Sequence, residues 1–133
     1  MITAGDPDFY FGLEPLVQAF PDAKVIATPE VVKHIEATKE GKFAYWGPIL
    51  KNGAPSQVIV PSASEDKTIV LEGEKIEIKS PGKYASYLWV PSNRTILGGV
   101  GLSSGIHLWT ADAQTEKERN EWRKTLKQMN RLN

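Results

Sequence analysis

Two carboxylates, Asp6 and Asp8, stand two apart around Pro7 in the opening stretch Met1-Ile2-Thr3-Ala4-Gly5-Asp6-Pro7-Asp8-Phe9-Tyr10-Phe11-Gly12. An acidic turn of this kind gathers oxygen ligands for a hard cation, or anchors a metal that activates water for hydrolysis. The commoner use of such an aspartate is to cap a helix, with Asp8 accepting from backbone N–H groups that have no partner inside the helix, and this use is favoured here. His107 and Asp112 are the other residues suited to ligation or proton transfer. His107 lies between Ile106 and Leu108, which favours a structural role, and His34, beside Lys33, is expected in solvent. If a metal is bound, its ligands are Asp6, Asp8, His107 and Asp112. Zinc prefers nitrogen or sulfur donors in a tetrahedral array, whereas an oxygen-rich set suits magnesium, calcium or manganese better. No cofactor is the favoured expectation, with zinc or another divalent metal as the alternative, and no catalytic residue is marked.

Phe43, Tyr45 and Trp46 crowd into residues 43–50, beside Pro48, Ile49 and Leu50. Such density marks a pocket wall, an interface anchor or an edge folded onto the core. With Phe9 and Trp109, the residues Tyr45 and Trp46 form the candidate ligand-pocket or interface set, and a small apolar ligand between Trp46 and the glycines of residues 98–101 is one use for it.

The whole chain limits the partners. It has 133 residues, which fits one domain, residues 1–133, and 41% of them are hydrophobic, enough for a core. Sixteen Lys and Arg balance sixteen Asp and Glu. This balance argues against a nucleic-acid partner, whose phosphates need a basic surface, and there is no basic run for an anionic membrane. The absence of cysteine removes disulfides, thiolate zinc sites and a cysteine nucleophile. No apolar stretch is long enough to span a bilayer and no signal-peptide layout is present, so the cytoplasm is the default compartment. No phosphate-binding glycine loop opens a helix after a strand, and no Gly-x-Ser-x-Gly elbow occurs.

The elements that must position these residues follow from spacing. Leu13, Leu16, Val17 and Phe20 give a helix that starts near residues 12–14, admits Pro15 in its first turn and ends at Pro21. Residues 23–27 form a buried strand. Thr28-Pro29 opens a second helix with Val31, Val32 and Ile35 inward, and Gly41 stops it. Residues 43–50 then lie between helix and loop, and Asn52-Gly53 turns the chain. Residues 58–60 read as a strand, and residues 68–71 and 75–79 as a hairpin around Glu72-Gly73-Glu74. Two more strands, 84–90 and 95–102, meet at residues 91–94, and glycines 98, 99 and 101 mark a bulge or a close backbone approach. Residues 103–112 are a polar loop. Thr115 and Glu118 form a capping box for a last helix, with Trp122, Leu126 and Met129 on one face. Strands and helices in this order make an α/β (α+β) chain with a mixed sheet.

The opening stretch resembles the metal-binding turn of the metallo-β-lactamase fold hydrolases, whose signature is His-x-His-x-Asp-His. The signature's positions fall on Ala4, Asp6, Asp8 and Phe9. Asp8 matches, Asp6 keeps an oxygen that can ligate, and Ala4 and Phe9 cannot bind a metal. The similarity continues as pattern through residues 20–30 and 87–115. It implies a partial member with a degenerate metal site, about half of an αββα sandwich with helices on one face of the sheet. In that family the strand matching the glycine-interrupted one leads towards the metal site, so here glycines 98, 99 and 101 are expected to line a cleft. A half-sandwich leaves an apolar sheet face exposed, which implies a homodimer packed sheet on sheet. The function implied is a non-catalytic, metal-free remnant of such a hydrolase, acting as a self-associating or small-ligand-binding module. The alternative is a metal-dependent hydrolase of an ester, lactone or phosphoester with a non-standard oxygen-rich site.

Overall fold

Parallel and antiparallel strand pairing both occur, each in its own sheet, and helices accompany them, so the chain is α+β. The structure, a computed structural model, describes residues 1–81, 86–111 and 113–132. These divide into two compact units, Met1–Glu65 and Asp66–Asn133.

In the first unit, α1 (Pro7–Tyr10) is a single turn entered through Pro7, whose fixed φ suits the first helical position. Its N-cap is Asp6, extended at φ −87° and ψ 148°, and Asp6 makes no side-chain cap bond. The cap expected at Asp8 is therefore displaced: Asp8 sits inside the turn, exposed to solvent. Helix α2 (Leu13–Ala19) has Pro15 in its first turn, as the spacing requires, but of its apolar stripe only Leu13 is buried. Of the strand expected over residues 23–27, only β1 (Ile26–Ala27) forms regular pairing. It is bracketed in parallel by Ile2, whose N–H donates to Ile26 at 2.8 Å, and by β2 (Ser62–Ala63). Residues 58–60, expected as a strand, instead pack half-buried on the core without regular pairing.

The parallel β1–β2 pair needs a crossover, and α3 (Pro29–Leu50) supplies it. Thr28 and Pro29 open α3 as expected, except that the Thr28 hydroxyl is buried with no hydrogen-bond partner. The helix also runs through Gly41, where a stop is expected, and takes in the aromatic segment. A mid-helix glycine costs about 1 kcal/mol relative to alanine. Anchoring on both sides offsets this: Val31 and Ile35 are wholly buried before it, and after it Phe43 packs on the core with its ring 6.1 Å from that of Phe11. Burying one such side chain is worth about 1.5–3 kcal/mol. Pro48 lies in the last turn of α3, where it withholds the N–H that would donate to the Ala44 carbonyl, and the helix ends two residues later as Lys51 takes φ 54°.

The second unit holds an antiparallel meander in the order β3 (Thr68–Leu71), β4 (Glu74–Lys79), β5 (Tyr87–Val90) and β6 (Thr95–Leu97). The β3–β4 hairpin forms where expected. Glu72 and Gly73 both have positive φ, 51° and 87°, the pattern of a type I′ turn. The start expected for β5 at residue 84 lies outside the described residues. The turn over Pro91–Asn93 passes through Arg94 in the left-handed region. Strand β6 is shorter than expected because Gly98 and Gly99 take positive φ. The register puts Ile69 opposite Ile76, and Leu88 between Ile78 and Leu97, on one sheet face. On the other face Lys75, Glu77 and Lys79 form ion pairs beside the buried Tyr87 and Trp89. Helix α4 (Glu116–Met129) begins at the expected capping box: Thr115 accepts from the Glu118 N–H at 3.2 Å, and the Glu118 carboxylate accepts from the Thr115 N–H at 3.0 Å.

Candidate functional site

The polar cluster of the first unit is built on the N-terminal turn and one side of α3. Three polar residues, His34, Thr38 and Lys42, recur at four-residue intervals and therefore share a helix face. Thr38 turns its hydroxyl back to the His34 carbonyl at 2.8 Å. Lys42 reaches the turn itself. Its Nζ donates to the Gly5 carbonyl at 2.8 Å, lies 3.4 Å from His34 Nε2 and lies 3.5 Å from Asp6 Oδ1. An ammonium has donors only, so any hydrogen bond in that contact runs from Lys42 to the His34 ring. His34, expected in solvent, is half-buried against Gly5. A Cβ at Gly5 would come within 2.4 Å of His34 Cδ2.

Tyr10 lies beneath this turn, 1% exposed, with its hydroxyl making no hydrogen bond. Burial, helped by the negative charge of Asp6, pushes its pKa up to about 12. Glu14 ties α2 to the segment after α3. Its carboxylate accepts from the Ser56 hydroxyl and, at 2.7 Å, from the Ser56 N–H, and these bonds hold its pKa below the ordinary value.

The residues singled out from sequence are distributed as follows. Asp6 is paired with Lys42, and Asp8 is exposed one residue into α1. His107 is exposed in a loop of the second unit, and Asp112 lies outside the described residues. Among the described residues no three His, Asp or Glu side chains converge on a point that could hold a metal. Phe9 is half-buried. Tyr45 and Trp46, 66% and 41% exposed, meet edge to face with ring centres 5.1 Å apart on the C-terminal part of α3. Ile49 and Leu50, also exposed, extend that surface by one turn. Trp109 is 77% exposed in the loop before α4. Trp46 and the glycine segment expected to join it in a pocket belong to different units. Gly101, expected to line a cleft, is covered by α4: Trp122 Nε1 donates to its carbonyl at 2.9 Å and Met129 Cε would lie 3.3 Å from its Cβ. Gly99, at φ 74°, has room for no Cβ, because the Ser86 carbonyl oxygen lies 2.7 Å from that position.

Lys42 is the residue that sequence reading misses. Its signal is the His34–Thr38–Lys42 repeat, and this is visible only if α3 is allowed to pass Gly41.

Among the described residues no helix is long and apolar enough to cross a membrane. Compared with known proteins, the chain matches no family model and no curated protein sequence.

Proposed function

We propose that this chain is a non-catalytic relative of the metallo-β-lactamase fold hydrolases that works by association, with a second copy of itself as the partner. The observation that carries the reading is the face of the β3–β6 sheet bearing Ile69, Leu71, Ile76, Ile78, Leu88, Val90 and Leu97. Every side chain from β3 to β6 on that face is apolar except Glu74 and Thr95, and Leu71 and Leu97 are 61% and 46% exposed. Ile78 is buried within the unit and Ile69, Ile76, Leu88 and Val90 are half-buried, so the apolar side chains this face leaves to a partner are Leu71 and Leu97, and exposed apolar side chains favour burial against another apolar face. A second reading, capture of a small apolar ligand, is supported by the exposed edge-to-face pair Tyr45–Trp46 with Ile49 and Leu50. A cytoplasmic setting is part of the proposal.

The donor set fits the metal of the resembled family poorly. Asp6 is engaged by an ammonium, Ala4 and Phe9 have no ligating atom, and Asp8 points into solvent.

Sedimentation velocity at micromolar protein tests the association, with a Leu71→Lys/Leu97→Lys variant as control. The expected result is a dimer that the paired lysines convert to monomer; a wild-type monomer would reject the self-association. Elemental mass spectrometry on protein purified without chelator or metal-affinity resin tests the metal-free part. One or more equivalents of zinc, manganese or iron per chain would favour the hydrolase instead.

A further inference from the structure

In the first unit three extended segments run parallel and end together. Ile2 pairs with Ala27 and Ala27 with Ala63, so Thr3, Thr28 and Ser64 follow side by side at the carboxyl ends, and the Ser64 N–H donates to the Ala27 carbonyl at 2.9 Å. Ligands of open α/β sheets gather at this end of the strands, where the helix that follows presents its N-terminus. Here that helix is α3, 22 residues long, with Thr28 as its N-cap. Two features set Thr28 apart from an ordinary cap. Its side chain makes no cap bond, so the first-turn N–H groups of Glu30 and Val31 lack the acceptor that an N-cap threonine normally supplies. Its hydroxyl is buried, in a residue 5% exposed, and has no hydrogen-bond partner. We propose that the N-terminus of α3 binds the carboxylate of a small organic acid, whose oxygens accept from the Thr28 hydroxyl and from the Glu30 and Val31 N–H groups. The inference uses neither the family relationship nor the association proposed above.

The donors select the ligand. A hydroxyl and two N–H groups at the positive end of a helix dipole call for an acceptor with negative charge. A buried hydroxyl left unpaired is destabilising, and an accepting oxygen removes that penalty on binding. The surroundings limit the charge and the size of the acceptor. The Glu30 carboxylate stands in the same first turn, so a dianion meets more repulsion than a monoanion does. Thr28 and the wholly buried Val31 form the inner wall, whereas Pro29 is half-buried and Glu30 exposed, so the site opens outward over the first turn. Thr3 and Ser64 flank it with interactions of their own and leave the binding to Thr28 and the two N–H groups.

The test is a titration of acetate at neutral pH into the wild-type chain and into a Thr28→Val variant, which keeps the shape and loses the hydroxyl. The amide resonances of Glu30 and Val31 are followed by NMR, with sodium chloride at the same ionic strength as the control. Acetate is expected to move both resonances saturably in the wild type, and chloride is not. Thr28→Val is expected to weaken the binding by about tenfold or more. Thermal unfolding without acetate is the second readout. Because the hydroxyl has no partner there, Thr28→Val should unfold at or above the wild-type midpoint. A lower midpoint would show that the hydroxyl is an ordinary helix cap, and the proposal then falls. It falls also if acetate moves the resonances no more than chloride does, if Thr28→Val binds acetate as tightly as the wild type, or if Glu30→Gln fails to tighten the binding.

Discussion

Gly5 has no side chain and still fixes the candidate site, because the space its Cβ would fill belongs to the His34 ring. Gly5→Ala should destabilise the chain by about 1–3 kcal/mol, the usual cost of overpacking, read as a lower urea midpoint. An unchanged midpoint would mean that His34 swings aside freely. Tyr10 is a second such position. Its hydroxyl is buried without a partner, and replacing an unpaired buried polar group by an isosteric apolar one is neutral to favourable. Tyr10→Phe should therefore leave stability at pH 7 unchanged or raise it by about 1 kcal/mol. The alkaline side gives the sharper test. Folding raises the Tyr10 pKa from 10.0 to about 12, so its contribution is intact below pH 10 and is lost as pH rises through 12. The wild type should lose stability across that window in denaturant titrations, and Tyr10→Phe should flatten the decline; equal slopes would contradict the assignment. The acidic turn was legible in the sequence because Asp6, Pro7 and Asp8 are neighbours. Its partner was not, because Lys42 lies 37 residues from Gly5, beyond a glycine that reads as a helix end.

Among elements, those written in local code are where the sequence puts them. The capping box at Thr115 and Glu118 needs only residues three apart, and the β3–β4 hairpin needs only alternation around a turn. Elements decided by packing depart from their local code. Gly41 ends α3 by propensity, but Phe43 and Lys42 bind the continuation to the core and to the N-terminal turn. Residues 58–60 have strand composition, yet parallel pairing with β1 begins only at Ser62. The same view of local code identifies a position where the chain departs from it. Glu72 holds φ 51° in a type I′ turn, a conformation that asparagine adopts at less cost than glutamate. Glu72→Asn should stabilise the hairpin by about 0.5–1 kcal/mol and raise the midpoint of thermal unfolding. A lower midpoint would show that the Glu72 side chain makes a contribution of its own.

For the molecule as a whole, the physical question is whether it unfolds as one body. Each unit encloses its own apolar residues: Tyr10, Phe11, Leu13, Ala27, Val31 and Ile35 in the first, and Ile78, Tyr87, Trp89, Ala113 and Met129 in the second. The length of 133 residues fits one domain. Cooperativity follows the packing that each element makes, and regions with separate cores open with separate free energies. The Gly5→Ala substitution can therefore act as a local wedge. Native-state hydrogen exchange should show the amides of Val31 and Ile35 in α3 losing protection by about tenfold or more. The amides of Ile78 in β4 and Trp89 in β5 should keep theirs, because Gly5 and the meander belong to different units. If protection falls by the same factor in α3 and in β4–β5, the chain unfolds as a single cooperative body, and stability gained or lost at the N-terminal turn is then felt along the whole chain.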